Sequence, residues 1–139
     1  MPLKVDFNFP VVDVDATRRE IDDYMSRHIV LAAKAWVLST TEIVPVLTGA
    51  AKASFIKLAS AAETTLTVNP IAPSRIDLGI ETSEGAIERE GETYRFLWSS
   101  ELAHIGIVED RVGFLSRGQA AINALPFRLP PPEIKTERA

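Results

Sequence analysis

The chain opens on a period of two. Lys4-Val5-Asp6-Phe7-Asn8-Phe9 alternates polar and apolar, which puts Val5, Phe7 and Phe9 on one face of a strand over residues 4–9 that Pro10 ends. Such a strand can pack on its own domain or be lent to a neighbour, so Phe7 and Phe9 are candidate interface residues. The period then changes. Ile21, Tyr24, Met25, His28, Ala32, Ala35 and Trp36 recur at spacings of three and four, while Arg18, Arg19, Asp22, Asp23, Arg27 and Lys34 mostly fall elsewhere. This predicts an amphipathic helix over about 14–41, free of glycine and proline, with Asp13 or Asp15 able to cap its open amides. Roughly 25 residues of helix would reach about 40 Å, long enough to pack on a sheet and also meet a partner.

The helix runs into a joint, Ile43-Val44-Pro45-Val46-Leu47-Thr48-Gly49-Ala50-Ala51-Lys52-Ala53-Ser54. Pro45 has no amide hydrogen to give and its ring blocks the preceding turn. Gly49 permits backbone angles that a side chain forbids. The joint is therefore a hinge between two kinds of structure, with Pro45, Thr48, Gly49 and Ser54 as its fold-defining positions.

Beyond it, Ala50–Ala53 adds one helical turn. Phe55–Ala59 reads as a strand, with a continuing helix as the alternative. Thr64–Asn69 is rich in β-branched residues and reads as a strand with Leu66 and Val68 inward; Pro70 and Pro73 break it. Arg75–Glu81 alternates cleanly, with Ile76, Leu78 and Ile80 inward, and is predicted as a strand. Residues 82–93 hold Thr82, Ser83, Gly85 and Gly91 with Glu84, Glu88, Glu90 and Glu92, the composition of an exposed loop or hairpin tip. Tyr94–Trp98 and Ile105–Val108 are apolar runs within 94–108 that fit strand and helix alike. Gly113 opens a last helical pattern through Phe114, Leu115, Ala121, Ile122 and Leu125, stopped by Pro126. Pro126, Pro130, Pro131 and Pro132 then make an extended arm, a flexible tail or a strap across a neighbour. The expected architecture is α+β: a long N-terminal helix packed on an antiparallel sheet of about four strands, a short C-terminal helix, and extended terminal arms. By segments it divides into an N-terminal arm or edge strand at 1–12, a single α+β domain at 13–125, and a Pro-rich arm at 126–139.

Composition narrows the function. With 139 residues, 46% hydrophobic and 24% charged, the chain has the makings of one ordinary globular domain. Its net charge of −4 argues against a protein that grips nucleic acid by its phosphates, yet suits a wall that DNA must slide past. There is no cysteine, which removes disulfides, thiolate nucleophiles and cysteine metal sites. No run is long and apolar enough to span a membrane, and no signal peptide is expected at Met1-Pro2-Leu3-Lys4-Val5-Asp6.

Candidate chemistry is sparse. His28 lies on the apolar face of the long helix, as a core or interface histidine. His104, Glu109 and Asp110 form a cluster on paper, and would carry a small ligand-binding or enzymatic α+β domain. They lack the spacing that brings metal ligands to one point. The four acids of 82–93 do not match the alternating oxygen ligands of a calcium loop, and read as a solvated acidic loop. No Gly-x-Ser-x-Gly elbow is present. Thr48–Ser54 lacks the glycine pair and the Lys-Ser order of a phosphate-binding loop. No catalytic, cofactor-binding or metal residue is assigned, and no enzyme activity or cofactor is expected.

Pro45-Val46-Leu47-Thr48-Gly49-Ala50-Ala51-Lys52-Ala53-Ser54 resembles the Pro-Val-Asp-Thr-Gly-x-Leu-x-x-Ser signature of tailed-bacteriophage head–tail joining proteins, also called tail-completion or neck proteins. His104-Ile105-Gly106-Ile107-Val108-Glu109-Asp110 is similar to that family's Tyr-Ala-x-x-Val-Glu-x-Gly segment, and Gly113-Phe114-Leu115 precedes a closing helix as in the family. Leu47, Ala51 and His104-Ile105 depart from the usual residues. The resemblance covers roughly residues 15–125.

The resemblance implies a structural virion protein with no catalysis. It implies a ring of identical subunits, expected to be a hexamer, that completes the tail and docks it on a head-side adaptor or connector. A tail-tube or tail-terminator protein would lie on the other side, and DNA would pass through the lumen without sequence-specific binding. The protein would reside in the virion neck, after assembly in the host cytoplasm, with no membrane partner. Glu84, Glu88, Glu90 and Glu92 are then candidates for lining or docking, and Pro130, Pro131 and Pro132 for strapping neighbours. Other neck components (adaptor, stopper, tail terminator) share these features. A third alternative is a monomer that offers the exposed side of 14–41 to a partner helix.

Overall fold

A computed structural model describes residues 2–10, 18–44, 49–68, 73–90 and 93–138. Asp13 and Asp15, the joint residues Pro45, Leu47 and Thr48, the break at Pro70, and Gly91 and Glu92 lie outside these described residues. The fold is α+β. In chain order it runs β1 (Leu3–Pro10), α1 (Arg18–Ile43), α2 (Ala50–Ala53), α3 (Ile56–Ala61), α4 (Pro73–Glu81), β2 (Ser83–Glu90), β3 (Thr93–Ser100), α5 (Ile105–Val112), α6 (Phe114–Asn123) and β4 (Glu133–Arg138). The strands form one four-stranded sheet in the order β2-β3-β1-β4, antiparallel throughout.

Period-two alternation decides the faces of the sheet. Leu3, Val5, Phe7 and Phe9 of β1 and Tyr94, Phe96 and Trp98 of β3 all point into the core and are buried. One row crosses the whole sheet: Ile87 opposite Phe96, Phe96 opposite Phe7, Phe7 opposite Ile134. α1 lies against this face and buries Met25, Ile29, Ala32, Ala33, Trp36 and Val37. Its buried Thr40 and Thr41 donate their hydroxyls to the Val37 carbonyl one turn back, so neither hydroxyl is stranded there. Trp36 meets Phe7, Phe55, Phe96 and Trp98 at ring-centroid distances of 5.7–6.1 Å. α6 packs along α1 at Gly118, where a Cβ would sit 2.5 Å from the Trp36 indole.

The structure departs from the sequence expectations in several places, each for a physical reason. Residues 75–81 are helical, not a strand. A stretch of seven residues fits both periods, and Ile76, Gly79 and Ile80 share a helix face at i, i+3 and i+4 while Leu78 is exposed. Gly79 decides the matter: a Cβ there would be 2.2 Å from the Ala50 carbonyl, so α4 reaches α2 backbone to backbone. Ile56–Ala59 is likewise helical, in α3 with Phe55 as its N-cap, the alternative the short apolar run left open.

Thr64–Val68 has no strand partner among the described residues. Instead Leu66 is half-buried against the core, and Val68 closes over Gly49 together with Ile76. Residues 83–90 of the expected acidic loop are strand β2, because every second position there (Ser83, Gly85, Ile87) faces the core side. The run 94–108 divides into strand β3 and helix α5.

The ends belong to the sheet. β1 is not an edge strand but lies between β3 and β4. β4, from the Pro-rich arm, forms the edge on β1. Phe7 and Phe9, 2% and 0% exposed, are thereby committed to the chain's own core and are no longer candidates for an interface.

Candidate functional site

The described half of the joint is built for folding. Gly49 has φ of 84°, the left-handed region where a side chain is strained, and leads into α2. Ser54 is fully buried; its hydroxyl donates to the Ala51 carbonyl, and its own carbonyl accepts the Trp98 indole N–H at 2.9 Å. The segment thus anchors the aromatic cluster from below. Neither residue lines either of the two cavities described below.

The second segment behind the resemblance is also a joint. Gly113, φ 64°, ends α5 and begins α6, and it has no side chain to cap the new helix. Glu109 supplies that cap from the preceding helix: Oε2 accepts the Leu115 N–H at 3.0 Å. Burial pushes the Glu109 carboxyl above its ordinary value, against the opposing pull of the Leu115 amide and Arg138. The folded state holds the Glu109 proton more tightly than the unfolded chain. The proton-linked part of its contribution is therefore complete below the ordinary carboxylate value and is lost as pH rises through the raised one, while the ionised carboxylate still accepts the Leu115 amide.

We expect Glu109→Ala to cost about 1 kcal/mol through the orphaned amide. We expect Glu109→Gln to flatten the pH dependence of stability in that window. Urea unfolding at several pH values checks both; an alanine variant with an unchanged midpoint would reject the cap. Asp110 pairs with Arg138 at 2.9 Å, and His104 is an exposed residue at the start of α5. His104, Glu109 and Asp110 therefore do not converge. Among the described residues no group of three or more His, Asp or Glu is placed to hold a metal ion.

Two further clusters tie the layers together. Tyr94, buried in β3, donates its hydroxyl to Asp22 of α1. Its pKa is pushed up by burial first and by that hydrogen bond next. Arg89 pairs with Asp22 at 3.2 Å and lies over the Tyr94 ring. His28 stacks on Tyr24, meets the edge of Phe127, and donates Nδ1–H to the Tyr24 carbonyl at 2.7 Å. Tyr24 in turn donates to the Arg128 carbonyl at 2.6 Å. The histidine thus holds the C-terminal arm against α1.

The other face of the sheet stays accessible. Glu84, Ala86 and Glu88 of β2, Thr93, Arg95, Leu97 and Ser99 of β3, Lys4, Asp6 and Asn8 of β1, and Glu133, Lys135 and Glu137 of β4 project there by register. None of these side chains is buried. The face is acidic: Asp6, Glu84, Glu88, Glu133 and Glu137 outnumber Lys4, Arg95 and Lys135. Arg95 bridges Glu88 at 2.7 Å and Asp6 at 3.6 Å, which stitches three strands across the surface.

At the end of the sheet a cleft of about 490 Å³ opens between Lys57, Glu81, Glu84, Glu101, Glu137 and Arg138, with Lys57 Nζ donating to the Ser83 carbonyl at 2.9 Å. A groove of about 410 Å³ runs between Phe9, Leu125, Leu129 and Pro130–Pro132. Of the candidate interface residues, Glu84 and Glu88 are exposed on the open face. Glu90 closes β2, and Pro130–Pro132 border the groove.

Sequence alone does not place Lys4, Asp6, Arg95, Leu97 and Lys135 on one surface. The alternation of 4–9 already carried the first two; the others needed the strand pairing. No protein-family model, curated protein or solved structure matches the chain.

Proposed function

We propose that the protein is a structural subunit of the tailed-phage neck. Copies form a ring, a hexamer on the family pattern, that completes the tail and joins it to the head-side connector while DNA passes through the lumen. The observation that carries this reading is where the motif residues lie. Gly49, Ser54 and Glu109 hold joints between elements, and none of them lines the cleft or the groove. That is what a signature of shape requires and a signature of catalysis does not.

The open sheet face supports the same reading. It is regular and acidic, and an acidic wall repels DNA phosphates, so a duplex passes without adhering. Ring closure needs two different, complementary surfaces on each copy, which leaves the two sheet edges and the helical side for neighbours. The protein acts by geometry, in the virion, without a cofactor. Mass measurement and electron microscopy of the concentrated protein, alone and with tails or connectors, test the proposal. A closed ring of one stoichiometry is expected; a chain that stays monomeric and never associates with tails or connectors would overturn it.

A further inference from the structure

The sheet joins its best-held strand to its least-held one. β1 buries Leu3, Val5, Phe7 and Phe9 and cannot leave without emptying the core. β4 pairs with it residue by residue from Leu3↔Arg138 to Asn8↔Glu133, yet among β4 residues only Ile134 is even half-buried. Beyond the backbone ladder, β4 is held by that isoleucine and by Arg138, which pairs with Asp110 and attracts Glu109.

The segment before β4 is built differently. Phe127 packs on His28, the Arg128 carbonyl accepts the Tyr24 hydroxyl, and Leu129 packs on the core, so the arm is anchored as far as residue 129. Pro130-Pro131-Pro132 follows, and β4 begins directly after it. Three prolines have no amide hydrogens and fixed φ, so they form a stiff extended spacer of roughly 9 Å. Motion is left to the two ends of the spacer. An anchored arm and a weakly buried strand are thus joined by a short rod.

We propose that β4 is an exchangeable strand, which on association completes the β1 edge of a second copy. The ladder itself names this occupant. The same six residues offer the same hydrogen bonds in the same register, so exchange sacrifices no pairing. Ile134 keeps its place opposite Phe7, because a one-residue slip would turn it to the solvent face. Each copy gives a strand at one place and receives one at another. Passed on from copy to copy, the exchange closes a ring; here the inference rests on the ring reading, while a reciprocal exchange would make a dimer.

The absence of cysteine makes the test direct. Lys4 and Glu137 are opposite one another, and both are exposed. Two single variants, Lys4→Cys and Glu137→Cys, are mixed in equal amounts, associated at high concentration and oxidised. A disulfide between these positions can then form only when the β4 of one copy lies on the β1 of another. We expect the mixed covalent dimer to exceed either homodimer by roughly tenfold, as a swapped element implies. Mixed dimer at or below the homodimers overturns the exchange.

Electron microscopy of the same sample separates the two ideas. A ring without the mixed link rejects exchange and keeps the neck reading, whereas mixed links in dimers without rings do the reverse. Asn8→Cys with Glu133→Cys, another facing pair on the ladder, repeats the measurement independently.

Discussion

Trp98→Ala is expected to be the most destabilising single truncation in the aromatic core. Trp98 is fully buried in the middle of the sheet, stacked on Phe55 at 4.5 Å with nearly parallel planes and set edge-on to Phe114 at 5.9 Å. Removing so large a side chain from a packed core loses both transfer energy and the contacts around the cavity, about 3–5 kcal/mol. The Ser54 carbonyl also loses its donor, which adds roughly 1–3 kcal/mol for an acceptor left unpaired away from water. Against a total stability of about 5–15 kcal/mol, the variant should be largely unfolded or melt far below the parent.

Two phenylalanine variants separate the causes. Trp98→Phe keeps most of the ring and still orphans Ser54. Trp36→Phe removes an indole N–H that meets no acceptor among the described residues, so its cost is volume alone. Denaturant midpoints should therefore fall further for Trp98→Phe than for Trp36→Phe. The reverse order would mean that the Ser54 bond carries little.

Gly85→Ala is expected to be the second largest, and its sign is the informative part. Alanine in place of glycine usually strengthens a strand by cutting the freedom of the unfolded chain. Here the added Cβ would sit 2.4 Å from the Leu58 backbone nitrogen and 2.6 Å from its Cα, so helix α3 itself must back away from β2. Overpacking of this kind costs about 1–3 kcal/mol, and more where the obstacle is backbone and not the tip of a side chain. Lys57, the residue before Leu58, ties the same helix to the Ser83 carbonyl, which leaves α3 little room to shift. Thermal melting should show a loss of several degrees or more. A gain, or no change, would show that α3 can slide and that the contact is not rigid.

Much of this fold was readable from the chain; what was not lay in short apolar runs and in one strand rich in charge. β1 and α1 were predictable because each pattern was long enough to distinguish its period: 4–9 against the observed 3–10, and 14–41 against 18–43. The single turn at Ala50–Ala53 and the closing helix after Gly113 also followed from local rules. Arg75–Glu81 and Phe55–Ala59 are short, and a short apolar run satisfies a strand and a helix equally. What settled Arg75–Glu81 was the approach of α2 at Gly79, a contact between segments nearly thirty residues apart. β2 was hidden by its glutamates, which mark a loop by composition yet sit comfortably on the solvent face of a sheet.

The candidate site was less legible still. In the sequence Glu109 stands beside His104 and Asp110 as a cluster on paper, and only the turn at Gly113 reveals that its carboxylate caps the next helix. The acidic face needs four strands side by side, and no single strand announces it. By itself, the sequence determined the two periods that make a core strand and a long amphipathic helix, and the breaks at proline and glycine. Those are local matters of sterics and solvation within a few residues. Only the tertiary structure decided that both ends of the chain enter one sheet, that Phe7 and Phe9 are spent inside it, and that charge gathers on its far face. Such outcomes depend on pairing partners distant along the chain, which local periodicity does not encode.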